Sequence, residues 1–279
     1  MRKFYIENEY NERFSLWGNR VYMVEPSGLG IKHDASYIRI GDSFLRNKKM
    51  QVAQSNIGGK IEFMDPGANQ KFKEFYDFCA AASELHLIYD PGDGNEYVRD
   101  IDILEAGKTE RTGGTLPITV KFACKSLYYS RANNRFVFES DDFEKRYDYQ
   151  YDFAYSDHGT YETMIENSGH VEAPFDCIIN GYCVNPAIQI VKNGKTVYEV
   201  EFPVAIEEGA YLRYSSRDGM LEATLVSGDS ETNLMNLLDI TKDNFFKIPV
   251  GDSKIVFSSA SSASTNVISL TVYKMFEVV

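Results

Sequence analysis

The chain has 279 residues, of which 43% are hydrophobic, and its formal net charge is −12. A chain of this length can bury sizeable cores and is more often two domains than one. No run of about 18 apolar residues occurs, which argues against a transmembrane helix. The start of the chain turns acidic where a signal peptide needs an apolar stretch. We therefore expect no membrane contact and assembly in the cytoplasm.

The negative charge is concentrated in the second part of the chain. Residues 1–128 hold 17 basic and 18 acidic side chains, whereas residues 129–279 hold 12 basic and 23 acidic ones. An acidic surface repels phosphate, so no direct nucleic-acid partner is expected. The four cysteines have no C-x-x-C spacing, so no zinc site is predicted. Reduced thiols fit a cytosolic chain, and a disulfide between Cys177 and Cys183 is the less favoured alternative.

Residues 1–62 read as short strands joined by turns. Residues 21–24 are apolar and stop at Pro26, and residues 37–40 alternate before a Gly41-Asp42 turn. Each run is followed by a turn signal, as expected for a domain built on sheets.

A single convincing helix follows. Its apolar side chains recur at helical spacing: Phe72, Phe75, Tyr76, Phe78, Cys79 and Ala82. This aromatic stripe is predicted to pack on the sheet, because such a stripe is the usual core-facing side of a helix.

Residues 85–125 predict further strands and no chemical site. The acidic loop 90–95 does not place oxygen ligands and glycine where a calcium loop needs them. Gly107-Lys108-Thr109 resembles the end of a phosphate-binding loop, but the required first glycine falls on Asp102. No catalytic, cofactor or metal motif is found in the whole chain. The sequence therefore predicts a protein that is not an enzyme.

Residues 131–166 are interpreted as a polar, aromatic connector. Five aromatic residues fall there on every second position: Tyr147, Tyr149, Tyr151, Phe153 and Tyr155. In an extended chain these rings share one face, and Asp148, Gln150 and Asp152 lie opposite. The rings could stack on sugars, or they could pack against another domain or subunit. The second interpretation is favoured.

From residue 167 the chain predicts an all-β domain. Asn193-Gly194 between two apolar runs is a strong hairpin signal, because both residues accept positive φ. Repeated short strands with turn signals predict a β-sandwich of about 110 residues. The expected domains are residues 1–130, a connector at 131–166 and a sandwich at 167–279.

Three segments of the chain form a recognisable order: the helix Lys71-Phe72-Lys73-Glu74-Phe75-Tyr76-Asp77-Phe78, then Gly181 followed by Asn185-Pro186, then Phe246-Lys247-Ile248-Pro249-Val250-Gly251-Asp252 near the end. In this order the chain resembles the distal tail proteins of siphophages that infect Gram-positive hosts. It also resembles the equivalent part of prophage-derived, tail-like bacteriocins. These segments follow the family's order over nearly the whole chain.

The resemblance implies a fold and a role. It implies an α+β N-terminal domain with one helix on a sheet and a galectin-like C-terminal β-sandwich. The N-terminal domain would form a hexameric ring, single or paired, at the distal tail tip or baseplate of the virion. The implied partners are the major tail tube protein, the tape-measure protein, the tail-associated lysin and, in some phages, receptor-binding proteins.

A second hypothesis stays open beside this one. The chain could be a carbohydrate-binding module or weak glycosidase that acts on cell-wall glycans through the Tyr147–Tyr155 rings. The two hypotheses differ in a measurable way, because a hub self-assembles whereas a sugar-binding module loses glycan binding when its rings are removed.

Overall fold

The computed structural model describes residues 2–47, 51–139, 159–262 and 265–279. The chain divides into two compact units, the first formed by Met1–Ser130 with Met275–Val279 and the second by Arg131–Lys274. Nearly all regular structure in the described residues is β-strand, with one α-helix. The predicted fold class, mainly β with one helix, is therefore confirmed.

The first unit contains the helix α1 (Ala68–Ala81). Its strands are β1 (Lys3–Asn8), β2 (Arg13–Ser15), β3 (Val21–Ser27), β4 (His33–Asp34), β5 (Tyr37–Ile40), β6 (Ser43–Arg46), β7 (Gln51–Val52), β8 (Asn56–Met64), β9 (Leu85–Asp90), β10 (Tyr97–Lys108), β11 (Thr115–Cys124) and the start of β12 (Tyr128–Glu139). The main pairings are antiparallel and run β2-β1-β9-β10-β11-β8-β3.

The core of the first unit lies between α1 and strand β8. The inward positions of β8 are apolar, and Ile57, Ile61 and Phe63 are fully buried there. Phe75 of the helix packs against Phe63 with ring centroids 6.1 Å apart. The predicted helix stripe is correct for Phe75, but it is wrong for Tyr76, which is 57% exposed. Tyr76 follows Phe75 directly, and adjacent helical positions are about 100° apart around the axis.

The second unit contains two larger antiparallel sheets. Its strands are β13 (Gly159–Asn167), β14 (Phe175–Asn180), β15 (Cys183–Val184), β16 (Ala187–Lys192), β17 (Lys195–Glu201), β18 (Ala205–Ile206), β19 (Ala210–Ser215), β20 (Glu222–Ser227), β21 (Ser230–Asn233), β22 (Gly251–Ser259), β23 (Ser261–Ser262) and most of β24 (Thr265–Phe276). One sheet has the order β24-β14-β19-β20-β21 and the other β13-β22-β16-β17. Side chains of both sheets share a core around Phe175, Phe202 and Phe246. The finer galectin-like likeness stays a prediction.

Two local features of the second unit follow from its sequence. Asn193 and Gly194 have φ of 53° and 73°, as a type I′ hairpin between β16 and β17 requires. Buried Asn167 donates from Nδ2 to the carbonyls of Val171 and Ile248 and accepts at Oδ1 from the amide of Gly169, each at 3.0 Å. Asn167 thus links the turn after β13 to Ile248, which lies in the loop before β22.

Strand β13 and the four thiols also bear on the sequence analysis. Residues 159–166, assigned above to a connector, belong to β13 and pair with β22. All four cysteines are free and buried. The alternative disulfide between Cys177 and Cys183 is therefore not formed.

Candidate interaction surfaces

Residues 28–47 and 51–55 form an extended arm that continues the pairing of β3 with β8. The arm is held by the amide of Ala53, which donates to the carbonyl of Lys32 at 2.8 Å. Strands β4 and β7 pair next, and β5 and β6 pair at the end around the Gly41-Asp42 turn. The predicted alternation and turn at residues 37–42 are confirmed. We refer to residues 37–46 as the tip hairpin.

The tip hairpin is exposed at every residue. Five of its side chains are large and apolar, and each of them is 50–68% exposed. If a whole aromatic side chain has roughly 200 Å² of surface, Tyr37 and Phe44 alone expose about 250 Å². Patches of about 300–600 Å² are the largest on a typical monomer and are often functional. The hairpin therefore has the character of an interface rather than of a solvated loop.

The register of the hairpin separates its side chains into two unlike faces. Ile38 lies opposite Leu45, and Ile40 lies on the same side. We call these three residues the apolar face. The other side consists of Tyr37, Arg39, Phe44 and Arg46, which we call the arginine face.

The base of the arm is tightly fitted to the first unit. Gly28 has a φ of +77°, and a Cβ atom there would lie 2.0 Å from the carbonyl oxygen of Asn56. Lys60 of β8 contacts Glu25 of β3 at 2.7 Å, and this hydrogen bond raises the pKa of Lys60. The arm thus leaves a packed sheet through a turn that only glycine fits.

An isolated two-stranded hairpin has little stability of its own in water. Within the described residues β5 pairs only with β6, and no other strand joins them. A hairpin whose five large apolar side chains are 50–68% exposed gains little burial energy in the single chain. A paired strand pattern without a core of its own is the arrangement expected of a segment that is covered in an assembly.

A second notable feature is a polar row across the first unit's sheet. The strand register places Glu7 beside His86 and His86 beside Asp100. Nδ1 of His86 lies 2.7 Å from Oδ1 of Asp100, and Tyr129 donates to the same oxygen at 2.7 Å. Arg13 donates to the buried carboxylate of Glu7 at 2.8 Å. Both carboxylates of the row thus accept a hydrogen bond from a neighbouring side chain.

Sequence reasoning missed this row because its members are far apart in the chain. His86 and Asp100 are 14 residues apart, a spacing that by itself indicates no pair. Only the antiparallel register of β1, β9 and β10 brings the residues together. In the described part of the chain, no three His, Cys, Asp or Glu side chains cluster as metal ligands would.

The predicted aromatic site falls outside the described residues. This applies to all five of its members, Tyr147, Tyr149, Tyr151, Phe153 and Tyr155. Among the described helices, none is long and apolar enough to cross a membrane.

Comparison with known proteins adds to this geometry. Residues 3–125 match the family model described as the distal tail protein, N-terminal domain. No curated protein sequence matches the chain significantly.

Two solved phage proteins share the fold over nearly the whole chain. One comes from the phage P2 baseplate in its activated conformation with calcium, with 14% identity, full coverage of both chains and a TM-score of 0.69. The other is the Dit protein of phage SPP1, described as a paradigm of the hub adsorption apparatus in phages that infect Gram-positive bacteria. It has 11% identity and a TM-score of 0.60, and the match covers 96% of this chain and 98% of that one. Residues 3–125 are therefore similar to the N-terminal domain of distal tail proteins, and the chain as a whole has the fold of these two phage proteins.

Proposed function

We propose that this chain is a structural hub of a phage tail, closing into a ring of six copies at the distal end of the tail tube. The observation that supports a ring is the tip hairpin. It is a paired, apolar segment that the described part of the chain leaves exposed. The family match at residues 3–125 and the two phage folds support the tail as the place of assembly.

The tip hairpin meets the geometric requirement of a closed ring. A ring requires that one surface of each copy binds a different surface of the next copy. The tip hairpin lies on an arm, so it can reach a neighbour without moving the packed core of its own unit. The nearly neutral residues 1–128 suit burial between copies, and the acidic remainder suits a solvated position.

The proposed partners follow from that position. In the ring the chain would join the tail tube and the tape-measure protein on one side and the tail-associated lysin on the other, with receptor-binding proteins in some particles. It would work by positioning these proteins and would catalyse no reaction. Its site of action would be the distal tip of the virion's tail.

The test is the mass of the purified full chain in solution, with negative-stain images of the same sample. We expect six times the chain mass of 31.7 kDa and six-fold rings. Ile38→Asp combined with Leu45→Asp should give folded single copies, because two buried carboxylates oppose the contact.

The matched control is Val197→Asp, which alters an apolar residue of the second unit that is 46% exposed. It should leave the ring intact. Rings that persist in the Ile38→Asp, Leu45→Asp variant would remove the hairpin from the contact. A parent protein that stays a single copy at high concentration would contradict unaided ring formation.

A further inference from the structure

Arg99 of β10 is a cation in the core of the first unit. Its side chain is 4% exposed and lies on the same side of the strand as the buried Ile101. Nε of Arg99 donates to the carbonyl of Ser126 at 3.0 Å, and the guanidinium lies 4.5 Å from the centroid of the Tyr128 ring. Both contacts are with neutral groups. None of the ion pairs between described residues includes Arg99.

A buried arginine of this kind is unusual. Charged side chains are almost never buried so deeply unless a partner neutralises them, because the charge loses its hydration. The ring contact with Tyr128 attracts the cation but leaves the net charge in the core. In the described residues Nη1 of Arg99 has no hydrogen-bond partner at all. The residue therefore needs an acceptor that carries negative charge.

Two more buried polar atoms of the first unit have the same need. Within the described part of the chain, neither Oγ of Ser55 nor the hydroxyl of Tyr128 has a hydrogen-bond partner, and both atoms are closed off from solvent. Buried polar groups in native proteins are nearly always hydrogen-bonded, because an unmade bond costs free energy. Three such atoms in one core indicate a site for a shared acceptor.

The strand register brings these side chains together around Cys124. The amide of Cys124 donates to the carbonyl of Ser55 at 2.9 Å, and Cys124 lies opposite Ile101, which is two residues from Arg99. Burial raises the pKa of the Cys124 thiol, and the charge of Arg99 and the Ser55 hydroxyl oppose this rise. Burial also raises the pKa of Tyr128 to about 12, and Arg99 again opposes the rise. We call Ser55, Arg99, Cys124 and Tyr128 the Arg99 cluster.

A cavity of about 290 Å³ at the root of the arm adjoins this cluster. Its lining includes Lys32, Gln54 and Ser55, so Ser55 belongs to the cavity and to the cluster. Gln54 also donates from Nε2 to the carbonyl of Cys124 at 3.4 Å. The ammonium group of Lys32 gives the cavity a positive charge, which attracts anions and repels cations. The cavity thus provides a route by which an anion reaches Ser55.

We propose that the Arg99 cluster binds one small monovalent anion of the halide class, held by the Arg99 guanidinium and the hydroxyls of Ser55 and Tyr128. A guanidinium only donates hydrogen bonds and both hydroxyls can donate, so the ligand accepts from all three. A water molecule also accepts hydrogen bonds, but it leaves the buried charge uncompensated. The three donor atoms have no contact with solvent, which favours a single small ion over a bulky oxyanion or a partner's side chain.

The main test compares the thermal stability of the full chain in sodium chloride and in sodium gluconate at equal ionic strength and pH. Chloride is the probe, and gluconate is too large for a closed site. A ligand that binds only the folded state stabilises it by mass action, so the unfolding midpoint should rise by about 3 °C in chloride and then saturate. Light scattering should give the same mass in both salts, so that association does not contribute.

Two substitutions in the cluster assign the effect. Arg99→Met keeps the length of the side chain and should remove the gain in chloride, because no buried charge remains. An Arg99 with a purely structural role would instead lose the same stability in both salts. Tyr128→Phe keeps the ring beside the guanidinium and deletes one donor, so it should weaken chloride binding by at least about tenfold.

The matched control is Arg213→Met in the second unit. Arg213 contacts Glu222 at 2.6 Å and Glu231 at 3.2 Å, so its charge is already paired. This variant should keep the full gain in chloride. Equal loss of the gain in Arg213→Met and Arg99→Met would overturn the proposal, because the ion would then not depend on the Arg99 cluster.

Three further results would overturn the proposal. The first is a parent with the same midpoint in both salts, as a bound water molecule would give. The second is an Arg99→Met variant that keeps the gain of the parent. The third, decisive even if Arg99→Met does not fold, is an unchanged chloride affinity in Tyr128→Phe. None of these results bears on the proposed ring, because each is measured on chains of equal mass.

Bromide gives the position of the ion. Crystals of the parent grown with sodium bromide should show an anomalous peak within hydrogen-bond distance of Nη1 of Arg99. Crystals of Arg99→Met should lack that peak. A parent without the peak, or with bromide only at exposed lysines and arginines, would overturn the assignment to this cluster.

Discussion

Strand β8 and the tip hairpin lie in the same unit and have similar patterns but opposite environments. Both alternate apolar residues with others, and both pair with a neighbouring strand in antiparallel register. Phe63 of β8 is fully buried under helix α1, whereas Phe44 of the hairpin is 68% exposed. Alternation therefore determines that a segment is a strand with two unlike faces. It does not determine whether the residues that bury the apolar face belong to the same chain or to another copy.

This comparison can be sharpened with thiol chemistry, where the largest effect is expected. Burial raises the pKa of the Cys79 thiol, on the α1 side of the core, to about 12. A Ser43→Cys thiol on the hairpin would keep an ordinary pKa because Ser43 is exposed. At pH 8 the thiolate fraction should therefore differ by about a thousandfold. A disulfide reagent should label residue 43 rapidly and leave Cys79 unlabelled until the protein unfolds.

Two measurements make that result interpretable. The parent protein should show no fast-reacting thiol, since all four of its cysteines are buried. In denaturant, all thiols of both proteins should react at similar rates. Rapid labelling of Cys79 in the native protein would show that α1 opens from β8 more readily than its packing suggests.

Removal of a core ring should separate the two regions in stability. Phe63→Ala deletes a fully buried ring that contacts Phe72 and Phe75 at centroid distances of 5.9 and 6.1 Å. We expect a loss of about 3–5 kcal/mol in the free energy of unfolding, measured with urea, because a cavity replaces the ring. Phe63→Leu should recover most of the loss, since its side chain refills much of the space. A loss below about 1 kcal/mol for Phe63→Ala would mean that β8 is not the centre of this core.

Glycine substitution compares the base of the arm with its tip. Gly28→Ala combines a positive φ with a collision between Cβ and the carbonyl oxygen of Asn56, so we expect a loss of about 2–3 kcal/mol. Gly41 also has positive φ, but a Cβ there meets nothing within 4 Å. Gly41→Ala should therefore cost only about 1 kcal/mol. Equal losses in urea unfolding would show that the close approach at Gly28 relaxes freely.

The sequence predicts local structure well where the chemistry is local. The Asn193-Gly194 hairpin and the Gly41-Asp42 turn depend on residues that accept positive φ, and both are present. The helix was predicted from the spacing of its apolar residues. The exposed Tyr76 shows that this spacing does not tell how many of those residues are buried. The row of Glu7, His86 and Asp100 was not predictable, because sheet register joins residues that the chain separates.

The interface character of the tip hairpin was not predictable for a related reason. The sequence of residues 37–40 resembles that of any half-buried strand. The local pattern does not tell whether the residues that bury its apolar side belong to the same chain or to a partner. That distinction depends on the arm, which separates the hairpin from the core of its own unit. The sequence distance between β3 and β8 is the one indication of an arm, because residues 28–55 separate two strands that pair with each other.

The smallest expected effect completes the comparison. Ile38→Ser combined with Leu45→Ser removes apolar surface that the single copy already exposes to water. The free energy of unfolding of the dilute, dissociated protein should therefore change by less than about 0.5 kcal/mol per substitution. The binding of a hydrophobic dye to the native protein should fall at the same time, because the apolar face of the hairpin is lost. A destabilisation comparable to that of Phe63→Ala would mean that the hairpin packs on its own copy, and the difference between the two strands would disappear.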